Sequence, residues 1–154
     1  MSVTIAIEPP NQPDVLGLIE ASDVYMNALY PPEGNFAIDV DALCRPEITF
    51  VVARLHGKAA GCGAIKWYDD GTAELKRIFV SDDARGNGIG RRIMDQLQEL
   101  AGGKRATRLY LETGPLNVEA VEMYRALGFE ECGPFADYPE NPYSLFMTKR
   151  LANA

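Results

Sequence analysis

The sequence predicts an α/β fold (α+β by some definitions), built on a mixed, splayed β-sheet of about seven strands flanked by about four helices. Three observations carry this expectation. Three apolar runs between residues 48 and 80 are separated by tight-turn sequences, the pattern of an antiparallel meander. Beyond residue 80 the hydrophobic period lengthens to helical spacing, and helix and strand patterns alternate as crossover connections require. The chain has 154 residues, 47% hydrophobic and 24% charged. That is one domain's length, 1–154, with the balance of a soluble globular protein. A chain of this size buries roughly 68–70% of its unfolded surface without metal or disulfide staples.

The elements follow in order. Val3–Ile7 alternates as a short strand. Asp14–Tyr30 reads as a helix with Val15, Leu18, Ile19, Tyr25, Met26 and Leu29 on its apolar side, stopped by Pro31-Pro32. Val40–Cys44 is a short helix. Ile48–Leu55, Ala59–Tyr68 and Thr72–Val80 form the meander, turned at His56-Gly57-Lys58 and Asp69-Asp70-Gly71. Gly88–Ala101 carries Ile89, Ile93, Met94, Leu97 and Leu100 at helical spacing, with Gly102-Gly103 expected to end it. Leu109–Thr113 is a strand. Asn117 suits the N-cap of the helix Val118–Leu127, and Gly128 its C′ position. Glu130–Gly133 and Ser144–Leu151 close the sheet around a proline-rich loop, Pro134–Tyr143. A parallel strand placed beside the third meander strand would splay the sheet there, and ligands of such sheets lie beyond the strand ends where topology changes.

Fifteen basic and twenty-two acidic residues give a net charge of −7, which argues against a nucleic-acid partner. The charge is uneven. Residues 1–73 carry four basic and ten acidic groups, residues 74–113 eight and six, and residues 114–154 three and six. The one positive stretch surrounds a glycine-rich loop and suits an anionic ligand. Cys44, Cys62 and Cys132 form no CxxC pair, and His56 is the sole histidine. Neither a disulfide framework nor a metal site is expected. Cys62, between small residues on a strand, reads as inert packing. The N-terminus lacks the basic and apolar regions of a signal peptide, and no run of ~18 apolar residues offers a membrane span. The expected compartment is the cytoplasm. A homodimer is compatible with the sequence.

Val80-Ser81-Asp82-Asp83-Ala84-Arg85-Gly86-Asn87-Gly88-Ile89-Gly90-Arg91 joins strand to helix. Glycines at 86, 88 and 90 let the backbone turn tightly and bring N–H groups close to a ligand. The first N–H groups of the helix lack internal partners, and the dipole adds positive potential. This is anion-binding chemistry suited to a pyrophosphate, with Arg85, Arg91 and Arg92 adding charge. A flexible turn with a solvated basic face would share the glycine spacing. The loop is not a Walker A sequence, and it departs from GxGxxG because the third glycine comes one position early.

Arg85-Gly86-Asn87-Gly88-Ile89-Gly90 resembles the [Q/R]xxGx[G/A] signature of the GNAT superfamily, the acetyl-CoA-dependent N-acetyltransferases. The preceding Glu74-Leu75-Lys76-Arg77-Ile78-Phe79-Val80 resembles that family's fourth strand. Leu109 to Gly114, Asn117, Ala120 to Tyr124 and Gly128-Phe129 resemble its second block, and the element order agrees. The resemblance implies that the backbone of Ile78, Phe79 and Val80 pairs with the pantetheine arm as an added strand. The N–H groups of Gly86, Asn87, Gly88, Ile89, Gly90 and Arg91 would take the pyrophosphate. Asn117 matches a cofactor-touching position, where N-capping is its alternative role. Tyr124 matches the general acid facing the thioester sulfur, although Ala120, Met123, Tyr124 and Leu127 also form an apolar stripe that suits core packing. Glu74 and Glu112 each match a glutamate assigned as general base in one branch of the family, and a water chain serves in others. Alternation would put Glu74, Lys76, Ile78 and Val80 on one face, where Lys76 could pair with Glu74. The family's acceptor pocket falls on the first helix and the loops at 31–36 and 134–143, which nominates Tyr30, Glu33, Tyr138 and Tyr143. The implied function is acetyl transfer from acetyl-CoA to a primary amine of a small molecule or peptide, by direct attack in a ternary complex, with no metal. The acidic flanks favour a cationic acceptor. A non-catalytic acyl-CoA-binding module, which would not need Tyr124, and a dinucleotide-binding oxidoreductase are the alternatives.

Overall fold

The computed structural model describes residues 2–151. Its strands are β1 (Val3–Ile7), β2 (Ile48–Leu55), β3 (Lys58–Trp67), β4 (Thr72–Val80), β5 (Arg108–Thr113), β6 (Glu130–Cys132) and β7 (Leu145–Arg150). Its helices are α1 (Pro13–Leu29), α2 (Val40–Leu43), α3 (Ile89–Gly103) and α4 (Val118–Ala126). The seven strands form one sheet in the order β1-β2-β3-β4-β5-β7-β6. All neighbours are antiparallel except β4 and β5. The mixed α/β fold expected from the sequence is the fold observed. No helix among the described residues is long and apolar enough to cross a membrane.

The turns obey their residues. His56 and Gly57 both take positive φ (53° and 82°), the mirror-image turn whose twist matches a two-residue hairpin. The Asp70 carboxylate accepts from the Thr72 backbone N–H and hydroxyl at 3.0 and 2.6 Å, fixing the next turn. The end of α3 differs from expectation. Gly102 and Gly103 stay within the helix region, and Arg105 takes the left-handed conformation (φ 58°) while the Ala106 N–H closes onto the Ala101 carbonyl. That closing bond satisfies an otherwise orphaned helix carbonyl, so the residue that must bend is the one preceding it.

Each face of the sheet carries one apolar cluster. On one, α3 buries Ile89, Ile93, Met94 and Leu97 against Val51, Ile65, Leu75 and Leu111. A Cβ on Gly61 or Gly63 of β3 would come within 2.9 Å of the Ile93 side chain, so these two glycines set how closely α3 approaches. On the other face α1 buries Val15, Leu18 and Ile19 against Phe50, Val52, Cys62 and Ala64. Tyr25, Met26 and Leu29 are only half-buried, and Tyr25 and Met26 line an open cleft.

The parallel register of β4 and β5 is short, running from Thr72 opposite Arg108 to Leu75 opposite Leu111. Beyond Leu75 the two strands part. There β4 also carries a bulge: Lys76 pairs with Ala64 and Phe79 with Cys62, leaving two residues opposite Gly63. Arg77 absorbs the extra step at φ 55°, a conformation that an L side chain adopts only when its surroundings hold it. Its guanidinium is held by the Ile38 carbonyl at 2.9 Å and Asp23 at 2.7 Å, and the Cys62 thiol meets its carbonyl at 3.2 Å. The bulge corrects the expected alternation. Glu74 and Lys76 share the face opposite α3, but Ile78 and Val80 turn to the α3 side, joining Leu75, while Phe79 joins the α1 cluster.

Candidate active site

Two cavities meet where β4 and β5 part. The larger, about 560 Å³, runs from the splay to the loop before α3. Its floor is Ile78, Phe79 and Val80, whose strand has no partner on the β5 side. One end is the glycine loop. Gly86 and Gly88 take φ 83° and 71°, and a Cβ built on either meets nothing within 4 Å, so both open on the cleft. Gly88 caps α3 and leaves the first N–H groups of that helix pointing there. Arg91 lines the cleft. The Arg85 guanidinium lies 5.1 Å over the Tyr25 ring and 5.9 Å over Phe79, a cation held by two aromatic faces at the rim. Asn87 turns away, its amide donating to the Ala84 carbonyl at 2.9 Å. Arg92 reaches the Val3 carbonyl and braces β1 instead.

The smaller cavity, about 120 Å³, lies on the other side of the splay beneath the 34–38 loop. Glu74, Lys76, Glu112 and Tyr138 line it. Glu74 is 1% exposed. Its carboxylate is held by three donors: the Tyr68 hydroxyl at 2.7 Å, Lys76 Nζ at 3.0 Å and the Tyr138 hydroxyl. Lys76 Nζ also donates to Tyr138 at 2.6 Å. The expected Lys76–Glu74 pair is thus present, extended by two tyrosines. Burial and the adjacent Glu74 carboxylate push both hydroxyls upward in pKa. Glu112 is in a different situation. It accepts one hydrogen bond, from the Ser144 hydroxyl at 2.8 Å, and burial raises its carboxyl above the usual range.

Tyr124 borders both cavities. The helix stripe packs its ring against Phe129, yet no described protein group hydrogen-bonds its hydroxyl. Burial, and secondly Glu112, push that hydroxyl up in pKa. Asn117 also borders both. It occupies the N-cap position of α4 without capping: its amide lies 3.7 Å from the Met26 sulfur, and Oδ1 is buried with no partner. A buried amide oxygen left unpaired costs about 1–3 kcal/mol unless a ligand satisfies it.

Not all nominated residues converge. Tyr30 is 5% exposed and lines neither cavity. Its hydroxyl accepts from the Leu116 N–H at 2.8 Å and packs on Gly114, where a Cβ would overlap it, so it fixes the β5–α4 loop. Glu33 is exposed outside the cavities. Tyr143 lies behind the pocket wall on Gly34, the closest carbon 2.7 Å from a Cβ built there. Ser22, Met26 and Phe36 line the site without having been singled out. Met26 is legible only as part of an apolar helix stripe and Phe36 only as an aromatic in a loop, which are also the marks of ordinary packing, and Ser22 carries no such mark. Cys62 is fully buried and its thiol is pushed up to about 12, so it is inert as a nucleophile.

The comparisons with known proteins agree with this geometry. Residues 16–129 match the model of the Acetyltransferase (GNAT) family. An IAA acetyltransferase of Azospirillum brasilense is 44% identical over 97% of this chain and 99% of its own length. An uncharacterized N-acetyltransferase of Bacillus subtilis (strain 168) is 37% identical over 89% and 92%. The solved structure of a candidate acyl-CoA N-acyltransferase from Klebsiella pneumoniae superposes with a TM-score of 0.82 at 28% identity, covering 97% of both chains. With the family model spanning most of the chain and these relatives matched nearly end to end, the protein belongs to the GNAT family and is an acetyltransferase.

Proposed function

We propose that the larger cleft binds acetyl-CoA, the smaller one a primary amine, and that the two react across Tyr124. The observation that carries this is the meeting of the two cavities at one unpaired tyrosine hydroxyl. The loop N–H groups from Gly86 to Arg91 hold the pyrophosphate, and the free edge of Ile78–Val80 pairs with the pantetheine amides. Asn117 Oδ1 accepts from an N–H of the same arm, which relieves its isolation. Acetyl-CoA brings a thioester whose carbonyl carbon the amine attacks directly in a ternary complex.

An amine arrives protonated, with a reference pKa of ~10.4 if lysine-like, so a base must act first. Glu74 is poorly suited: three donors already occupy its oxygens and leave none free for the amine. Glu112 has one donor and a raised carboxyl pKa, which moves it towards the operating pH. We assign the base to Glu112 and give Glu74 the task of fixing Lys76 and Tyr138. Tyr124 donates to the sulfur as charge grows there. A thiol's reference pKa is ~8.5 and a tyrosine's ~10, and burial widens that gap, so full transfer is uphill and completes late. Three unpaired cysteines support a reducing, cytoplasmic setting. The reading is tested by titrating acetyl-CoA calorimetrically and measuring thiol release over an amine panel. Binding with amine-dependent release supports it, and failure to bind acetyl-CoA removes it.

A further inference from the structure

The charges around the smaller cavity do not cancel evenly. Glu74 is matched by Lys76 at 3.0 Å. Arg77, whose side chain is 5% exposed, is matched by Asp23 at 2.7 Å. Lys76 also spends a donor on Tyr138. These are the cations that line the cavity, and each already has its anion. Glu112 makes no close ion pair of its own: its one hydrogen bond comes from a neutral serine, and the cation that acts on it, Lys76, is already paired with Glu74. Glu74 and Glu112 therefore share the one ammonium of Lys76, which leaves the cavity one carboxylate in excess and no free cation. Part of the remaining wall is apolar or aromatic, namely Met26, Phe36, Ile38, Leu111 and the Tyr138 ring, with Phe36 and Tyr138 in edge-to-face contact at 5.8 Å; neutral polar residues, among them Thr113 and Asn117, complete it. At about 120 Å³ the cavity is smaller than the ~300 Å³ at which drug-sized ligand pockets begin.

We propose that the acceptor is a small primary monoamine with an apolar or aryl body, and that the pocket rejects amino acids, diamines and peptides. This deepens the assignment of the smaller cavity as the amine site and rests on it. A single ammonium pairs with Glu112 while its apolar body lies on the Phe36–Tyr138 wall. An α-carboxylate would enter beside Glu74 and Glu112 with no free cation to meet it. A second ammonium would find no second free carboxylate, since Glu74 is already held by three donors. Either costs the desolvation of an unpaired charge, and a site that leaves such a group unpaired discriminates by factors of ~10² or more.

The test is direct binding, by calorimetry, to the free enzyme and to its CoA complex. The ligands are 2-phenylethylamine, n-hexylamine and benzylamine, then phenylalanine, 1,6-diaminohexane and a phenylalanyl dipeptide. At least one monoamine should bind ~100-fold more tightly than its carboxylated or doubly charged counterpart. Glu112→Gln should lower monoamine affinity at least tenfold while leaving the weak affinity for phenylalanine within threefold. Glu74→Gln frees Lys76 to meet a carboxylate, and should narrow the phenylethylamine-to-phenylalanine ratio at least tenfold. If that variant fails to fold, the wild-type panel and Glu112→Gln decide alone. Equal or tighter binding of phenylalanine or the diamine overturns the proposal, as does binding of none of the monoamines. Failure of CoA itself to bind would overturn the acetyl-CoA reading instead, and the free-enzyme titrations would still decide the acceptor class.

Discussion

The two cavities that share Tyr124 are made of different material. The larger is built around main-chain features, a strand edge, glycines at positive φ and a helix N-terminus, with side chains such as Tyr25, Arg85 and Arg91 around them. The smaller is walled by side chains drawn from α1, the 34–38 loop, β4, β5 and the 134–143 loop, with a four-membered hydrogen-bond network at its side. Backbone groups offer every ligand the same N–H and C=O, so the first kind of wall suits one invariant cofactor. Side chains can be exchanged singly, so the second kind suits an acceptor that differs from enzyme to enzyme. Substitutions on the backbone-built side should therefore act through the cofactor, and those on the side-chain-built side through the acceptor.

The sharpest break in that division is Gly88→Glu. It places a Cβ, bulk and a negative charge in open space, at the proposed pyrophosphate site, where like-charge contact would cost several kcal/mol. Acetyl-CoA affinity should fall below detection by calorimetry. The left-handed backbone adds a strain of about 1–2 kcal/mol, which the fold should survive by circular dichroism. Unchanged affinity in the folded variant would move the phosphate site elsewhere. Next in size is Tyr124→Phe at the boundary. It should lower kcat by ~10²–10⁴ with acetyl-CoA affinity nearly constant. A near-normal kcat would make the hydroxyl a packing group.

On the acceptor side, Glu112→Gln should lower kcat/KM by ~10² near neutral pH, the deficit shrinking as pH rises and the amine deprotonates unaided. Its effect on stability has the opposite sign. A carboxyl whose folded pKa is raised contributes stability below its unfolded value of ~4.3, and loses it as pH rises through the folded value. The glutamine variant should therefore melt higher than wild type at pH 8, the gap closing near pH 4. Glu74→Gln behaves otherwise. It strands Lys76 without its counter-ion and should cost ~3 kcal/mol in denaturant unfolding, with an activity loss independent of pH. A defect that faded with rising pH would return the base role to Glu74. The smallest expected effect is Asn117→Ala, which removes one hydrogen bond of ~1 kcal/mol and should weaken acetyl-CoA about fivefold.

The same division decides what could be read from the chain. The glycine loop, the bounds of the strand before it, the start of the helix after it and the Gly128 C′ turn (φ 96°) are local patterns, and each lies where its residues imply. The acceptor side depends on contacts across large sequence separations: Tyr138 meets Glu74 sixty-four residues away, and Ser144 meets Glu112 thirty-two away. No periodicity encodes such pairs. Tyr30 shows the same difficulty, because an aromatic at a helix end next to a proline loop looks the same whether it faces a substrate or props a loop. The strand alternation failed at Arg77 because nothing in its chemistry announces a left-handed residue. Its neighbours Ile38, Asp23 and Cys62 hold it there, and all arrive from elsewhere in the chain.

The four-residue parallel register of β4 and β5 has a mechanical consequence. It is the only strand pairing that joins β1–β4 to β5–β7 among the described residues, so the two halves of the sheet are fastened along a short seam that opens into the cleft. A molecule seated in that opening bridges the halves and adds its binding free energy to their cohesion. Amide exchange should be fastest, in the empty protein, at the free edge between Ile78 and Val80 and in the 114–117 loop that Tyr30 tethers. Saturation with CoA should slow exchange at these sites by more than the global rise in stability accounts for. The cofactor would then act as a clamp on the sheet as well as a reagent.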